Sequence, residues 1–207
     1  MRHENADALT DGRLLSPSAE RNKGPIAEVL QRVLPGSGSV LEISSGTGQH
    51  VVHFACAMPD RIWQPTERDA DCLRSITAWL AAEGLENVKA PRYLDVHDEV
   101  WPVGHVDAVV CINMIHIAPS SATNALFRGA ETIMNSGGVV LLYGPFLQGQ
   151  HTSPSNEAFD RLLRAQNPKW GVRHLEDVAH VAEREGFELR ESCAMPANNL
   201  AVIFRKR

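Results

Sequence analysis

Ser39-Val40-Leu41-Glu42-Ile43-Ser44-Ser45-Gly46-Thr47-Gly48-Gln49-His50 is the stretch whose reading decides the fold. Val40 to Ile43 is a short apolar run, as a strand buried on both faces requires. A turn of small residues follows, and Val51-Val52-His53-Phe54-Ala55 reads as a helix. Strand, glycine turn, helix opens a doubly wound α/β sheet. Gly46 and Gly48 lack a Cβ, so the backbone can turn sharply and a ligand can approach it. The helix start just beyond offers unpaired N–H groups. A dinucleotide fingerprint would need a third glycine three residues after Gly48, where Val51 stands. Glu42 adds a second signal, because an acid inside an apolar strand is costly without a partner.

Around that stretch the composition is ordinary. The chain has 207 residues, 43% hydrophobic and 22% charged, which suits one domain with a proper core. A net charge of -5 disfavours a protein that wraps a nucleic-acid backbone. The one basic cluster, Arg205-Lys206-Arg207, reads as a solvated tail. Cys56, Cys72, Cys111 and Cys193 are widely spaced in apolar segments and read as reduced core thiols. Neither they nor the histidines show metal-ligand spacing, so no metal is expected. No apolar stretch is long enough to span a membrane, and the N-terminus carries no signal-type apolar segment. A cytoplasmic compartment is the expectation.

The rest of the chain alternates strand and helix. Residues 1 to 24 read as an arm over the site, leading into a single domain over 25 to 207. Ile26, Val29, Leu30, Val33 and Leu34 mark one helical face that ends at Pro35-Gly36. Arg61 to Thr66 is the second strand, and Glu67 stands at its C-terminal end, 21 residues beyond Gly46. An acid about 20 residues past the glycine turn is where a ribose-binding carboxylate sits in such folds. Asp69 competes for that role, and otherwise reads as the N-cap of the next helix. Asn87 to Leu94 is a third strand weakened by Pro91, closed by Asp95. Asp107 to Ile112 is a nearly continuous apolar run, a central strand buried on both faces. Asn113 and His116 follow at its C-terminal edge, where ligands sit in open α/β sheets. Gly137 to Gly144 is the next strand, with Tyr143 at its exit. Leu147 to Asn156 reads as a polar substrate-covering loop carrying His151. Phe159, Leu162 and Leu163 read as a core-facing helical stripe. Strands at 187 to 193 and 200 to 204 end the chain, joined by a hairpin through Asn198 and Asn199.

The order acid, apolar, two small residues, Gly-x-Gly in Glu42 to Gly48 resembles the first motif of class I S-adenosylmethionine (SAM) dependent methyltransferases. That resemblance implies a seven-stranded, mostly parallel sheet in the order 3-2-1-4-5-7-6 with the last strand antiparallel. It further implies that Glu42, Ser44, Gly46 and Gly48 organise the loop under SAM. Asp95 would then accept from the adenine amino group, and Asn113 would join the cofactor residues at the sheet edge. A closer resemblance runs along the whole chain. Ser16-Pro17-Ser18-Ala19-Glu20-Arg21-Asn22-Lys23, Trp63-Gln64-Pro65, Gly144-Pro145-Phe146, Ser155-Asn156 with Phe159-Asp160, Asn167-Pro168-x-Trp170-Gly171-x-Arg173 and Pro196-Ala197-Asn198-Asn199 look like the DUF938 (UPF0585) family. Thr66-Glu67 departs from the Ser-Asp common in that family, keeping the acceptor pair on a longer side chain. Asn113-Met114-Ile115-His116 also departs from the Asn-Pro-Pro-Tyr of enzymes that methylate nucleobase amines.

The resemblance makes the expected reaction a methyl transfer from SAM to a small molecule. Such a transfer is an in-line displacement in which the protein mainly aligns its reactants. A base helps where the nucleophile still carries a proton. His116 is the first candidate, His151 the second, and Tyr143 could orient the acceptor. Asn22, His151, Asn156, Asn198 and Asn199 could line the acceptor site, since asparagine both donates and accepts. A packed histidine and a plain hairpin turn are the competing readings of His116 and of Asn198-Asn199. At the level of function the alternatives are a non-catalytic SAM-binding module serving a protein partner and a nicotinamide oxidoreductase.

Overall fold

The computed structural model describes residues 7–207. Its centre is β1 (Gly38–Ile43), with β2 (Arg61–Glu67) parallel on one side and β4 (Val106–Ile112) parallel on the other. β3 (Arg92–Tyr93) extends the sheet beyond β2. β5 (Met134–Gly144) lies parallel to β4, and the last strand β7 (Asn199–Lys206) runs antiparallel to it. β6 (Phe187–Met195) pairs antiparallel with β7 at the outer edge. The order is 3-2-1-4-5-7-6, as the methyltransferase resemblance implies.

The pleat sorts the apolar run of β4 onto two cores. Val109 and Cys111 face one cluster, with Leu126, Phe127 and Val178 from α4 (Ser121–Ile133) and α6 (Leu175–Arg184). Ala108, Val110 and Ile112 face the other, with Ile26, Leu30, Phe54 and Ile76 from α1 (Pro17–Val33), α2 (Gln49–Ala57) and α3 (Ala70–Glu83). A strand covered by helices on both faces has no side free for polar residues, which is why the run is continuous rather than alternating. β6 has one exposed side. It carries Glu188, Arg190 and Glu191 and a register shift between Leu189 and Glu191, features that discourage edge pairing.

Several boundaries differ from the sequence reading. Only Arg92–Tyr93 forms the third strand, because Pro91 cannot donate to a ladder; Val88 makes an isolated bridge to Trp63 instead. α1 begins at Pro17 under a Ser16 cap and runs unbroken through position 24, so the line drawn at 24/25 falls inside a helix. Ahead of it, Asp7–Ala8 and Leu14–Leu15 form a small hairpin. Residues 1 to 6 of the arm lie outside the described residues. α5 (Pro154–Gln166) starts within the stretch read as loop, capped by Ser153, so Asn156 is helical. Leu163 of its stripe is buried, but Leu162 is 55% exposed.

The hairpin is fastened to the glycine loop. Ser75, fully buried on α3, donates to the Thr47 carbonyl at 2.7 Å and accepts the Leu14 N–H at 2.8 Å. Gln49 accepts from the Ser16 N–H and the Thr47 hydroxyl and donates to Glu20. Arg13 stacks over Trp79 at 4.5 Å. Gly48 belongs to this packing. Its φ is +94°, and a Cβ there would lie 3.0 Å from the Ile76 backbone. Gly48→Ala is therefore expected to cost about 1–3 kcal/mol of stability from left-handed strain alone. Urea unfolding measures the loss, and an unchanged midpoint would show that the loop relaxes freely.

Candidate functional site

The glycine loop joins β1 to α2 in an unusual backbone. Ser44, Gly46 and Gly48 all have positive φ, at 54°, 57° and 94°. Glu67, buried at the end of β2, holds this loop. Its Oε2 accepts the Gly46 N–H at 3.0 Å, and its Oε1 accepts the Arg68 and Asp69 N–H groups at 2.8 and 3.2 Å. Asp69 caps α3 through the N–H groups of Asp71 and Cys72, as its competing reading holds.

Glu42 lies one strand over and is 1% exposed. Neither carboxylate oxygen has a hydrogen-bond partner. The Ser45 hydroxyl is close by, but it donates to the Glu42 backbone carbonyl at 3.4 Å, as does Thr66 at 2.7 Å. Burial, reinforced by the nearby Glu67 charge, pushes the Glu42 carboxyl up to about 8. A buried acid whose oxygens have no donor among the described residues carries a desolvation cost.

Asp95 stands in the loop after β3. Its Oδ1 accepts from the backbone and ring N–H groups of His97 at 3.0 and 2.9 Å, and its Oδ2 from Arg68 at 3.1 Å. Partial burial pushes its carboxyl up, but the bonds from His97 and Arg68 outweigh this and hold it below the usual range. Asn113 ends β4 with φ 61°, donating its N–H to the Tyr143 carbonyl at 2.8 Å. The edge of four neighbouring strands thus carries Glu42, Glu67, Asp95 and Asn113.

A second group of polar residues gathers beside the end of β5. Burial raises the Tyr143 pKa, and the side chains of Asn22 and Asn199 beside its hydroxyl oppose that rise. Asn22 Oδ1 lies 2.7 Å from His50 Nε2. Burial drives His50 down to about 4, so the neutral ring donates to Asn22. Asn156 donates to the Asn198 carbonyl and to the Thr152 hydroxyl, both at 2.8 Å. Ala197 and Asn198 are left-handed, each with φ 57°, as a tight turn demands. Residues from α1, β5, α5 and the hairpin before β7 are therefore brought together.

The two candidate bases sit differently. His116 is wholly buried, edge-on to Phe146 at 4.9 Å. Its Nδ1 accepts the Arg173 N–H at 3.3 Å, which leaves the ring proton on Nε2, a buried atom with no partner. Burial pushes this ring down to about 3, with Arg173 adding to the shift. The ring thus presents an N–H where a base needs a lone pair. A Cβ on Gly144 would lie 2.6 Å from that nitrogen, so glycine is needed beside it. His151 is partly exposed, with Nε2 3.7 Å from Asp160 Oδ2. Asp160, Arg68 and Arg173 went unremarked as site residues. Asp160 shares a helix face with Asn156, four positions away, and that spacing could have revealed it. Arg173 fastens the turn after β4 through the Ile115 and Ala118 carbonyls. Nothing local in the sequence signals this long-range bond.

An acid-lined glycine turn at the carboxyl edge of this strand order defines a protein of the class I methyltransferase fold. The solved structures agree. The mitomycin 7-O-methyltransferase MmcR superposes with a TM-score of 0.79 at 18% identity, over 92% of this chain and 54% of its own. An O-methyltransferase family protein from Burkholderia thailandensis gives 0.78 at 14%, over 91% and 57%. CalO1, a methyltransferase of calicheamicin biosynthesis solved with SAH bound, gives 0.74 at 15%, over 92% and 54%. The chain thus spans little more than half the length of these proteins. It belongs to the family described as "Protein of unknown function (DUF938)", whose model matches residues 13–206. No helix among the described residues is long and apolar enough to cross a membrane.

The Glu42 environment has a consequence for stability. Its folded pKa is raised, so the unfolded chain ionises first as pH rises. Stability is lost from about the usual glutamate value up to about 8 and is flat above that. Wild type is expected to fall steadily relative to Glu42→Gln across this window in urea unfolding. Parallel curves would mean that Glu42 ionises normally.

Proposed function

We propose that this protein is a SAM-dependent methyltransferase acting on a small-molecule acceptor. The observation that carries the reading is the sealed, partnerless Glu42 carboxyl beside the Gly46 loop. A cationic ligand with N–H donors relieves both of its costs, the missing hydrogen bonds and the repulsion from Glu67. SAM carries an ammonium and a sulfonium, and it is the methyl donor the fold suggests. Glu67 has acceptor capacity left on Oε2 for a ribose hydroxyl, and Asp95 can accept from an adenine amino group. CalO1's bound SAH and a related O-methyltransferase family 2 protein in complex with apigenin support a donor and a small acceptor of these kinds. Transfer itself is positioning work. The leaving sulfur becomes a neutral thioether and needs no acid.

Calorimetry tests this with SAM, SAH and NAD(P)H. SAM and SAH are expected to bind and NAD(P)H not. Glu67→Ala should weaken SAM binding at least about tenfold, roughly 1.4 kcal/mol, while circular dichroism stays native. Binding at neutral pH should release a proton from Glu42, seen as a dependence of the heat on buffer, and Glu42→Gln should abolish that release. Preference for NAD(P)H, or SAM binding indifferent to both substitutions, would overturn the reading.

A further inference from the structure

A nucleophile that still carries a proton needs somewhere to put it. His116 offers no lone pair, for the reasons given above. His151 is arranged the other way round. Its Nε2 faces Asp160 Oδ2 at 3.7 Å. Asp160 is fixed by Arg164 Nε at 3.0 Å and by the Val172 N–H at 2.7 Å. Burial pushes the Asp160 carboxyl up, but these donors, with His151 opposite, hold it below the usual range. A carboxylate opposite Nε2 favours the tautomer with the proton there, which leaves the lone pair on Nδ1. That Nδ1 is buried and has no partner. A separation of 3.7 Å is ion-pair range, and such contacts tighten when a ligand closes the site.

The polar residues joined to the same helix face bear on the acceptor that such a lone pair would serve. Asn156 and Asp160 lie on one buried face of α5. Asp160 holds His151, while Asn156 holds Thr152 and the Asn198 carbonyl. The next residue of that turn, Asn199, reaches the Tyr143 hydroxyl, as does Asn22. Apart from the Asp160–His151 pair, these polar contacts join neutral groups. Arg164 is paired with Asp160, and Arg173 is committed to backbone carbonyls, so neither is offered to an anionic acceptor.

We infer that His151 is the general base of the transfer, that Asp160 is its positioning residue, and that the acceptor is a neutral small molecule presenting a hydroxyl group. This rests on the SAM reading above. The acceptor's O–H proton passes to Nδ1 as its oxygen attacks the methyl carbon. The C–S bond breaks with its electron pair staying on sulfur, giving an ether and a neutral thioether. The imidazolium left opposite Asp160 then returns its proton to solvent. A neutral amine would bring its own lone pair and need no such base before attack.

The test uses the full chain. Long-range proton–nitrogen NMR of the free protein, and then with SAH, reads the His151 tautomer. Wild type should carry its proton on Nε2, and Asp160→Asn, which keeps an acceptor for Val172, should lose that preference. A wild-type proton on Nδ1 would overturn the pairing. Phenol, a minimal O–H acceptor, and aniline are then offered with SAM. Phenol should be methylated in preference to aniline, and His151→Asn should slow transfer at least about a hundredfold. SAM affinity should stay within about twofold by calorimetry, as expected for a group that acts only in transfer. Undiminished transfer by His151→Asn, preference for aniline, or SAM bound without phenol transfer would overturn the inference. Failure to bind SAM at all would instead sink the donor reading, and the tautomer would still judge the His151–Asp160 pair.

Discussion

A carboxyl group held in the dry centre of a sheet, with no donor to meet it, is the constraint around which the binding edge is built. Glu42 sits in the strand with neighbours on both sides, so its backbone cannot shift without disturbing β2 and β4 together. Its carbonyl is already taken by Ser45 and Thr66. The side chain therefore stays where the strand puts it. Its oxygens can be satisfied only by something that arrives, or by holding a proton. Glu67 favours the proton, because its like charge opposes ionisation of Glu42. It is pinned by three backbone N–H groups and adds its charge to the same neighbourhood. Two acids held this way give this edge a negative potential that favours a cation.

The rest of the cofactor edge keeps those acids in register. Glu67 reaches across to Gly46, so β2 and the loop after β1 move as one unit. Ser75 and Gln49 extend that unit to α3 and the hairpin ahead of α1. A loop with three positive-φ residues would otherwise be free to sample other shapes. Here Glu67 from β2 holds the Gly46 N–H and Ser75 from α3 holds the Thr47 carbonyl.

The sheet order, and the gathering of acids at one strand edge, were legible in the sequence because they rest on local signals. An apolar run without alternation can only be an inner strand, and Glu42, Gly46 and Glu67 stand at spacings that strand and turn geometry enforce. Pro91 cut the third strand shorter than its apolar pattern suggested, since a missing N–H outweighs side-chain preference. The acceptor side was half legible. Tyr143, Asn22, Asn156, Asn198 and Asn199 could be named, but not which of them meet, because their contacts cross from α1 to β5 to α5 to β7. His116 drew attention by standing at the right edge. Its proton arrangement depends on the Arg173 N–H, 57 residues away, and no local pattern carries that.

This division follows from how the two halves are made. The acidic group is built from strand ends, whose positions a sheet fixes once the order is known. The second group joins a face of α5 and the turn before β7 to Tyr143 of β5 and Asn22 of α1, largely through side-chain contacts. α5 shows how few contacts suffice. Asn156 and Asp160, one helical turn apart, tie the loop before the helix, the turn before β7 and the segment at Val172 to a single rigid rod. Loosening either residue frees one end of this helix and leaves the strand edge with Glu42 and Glu67 intact. Such a helix face can change its chemistry by exchanging two or three side chains while the sheet beneath it stays the same.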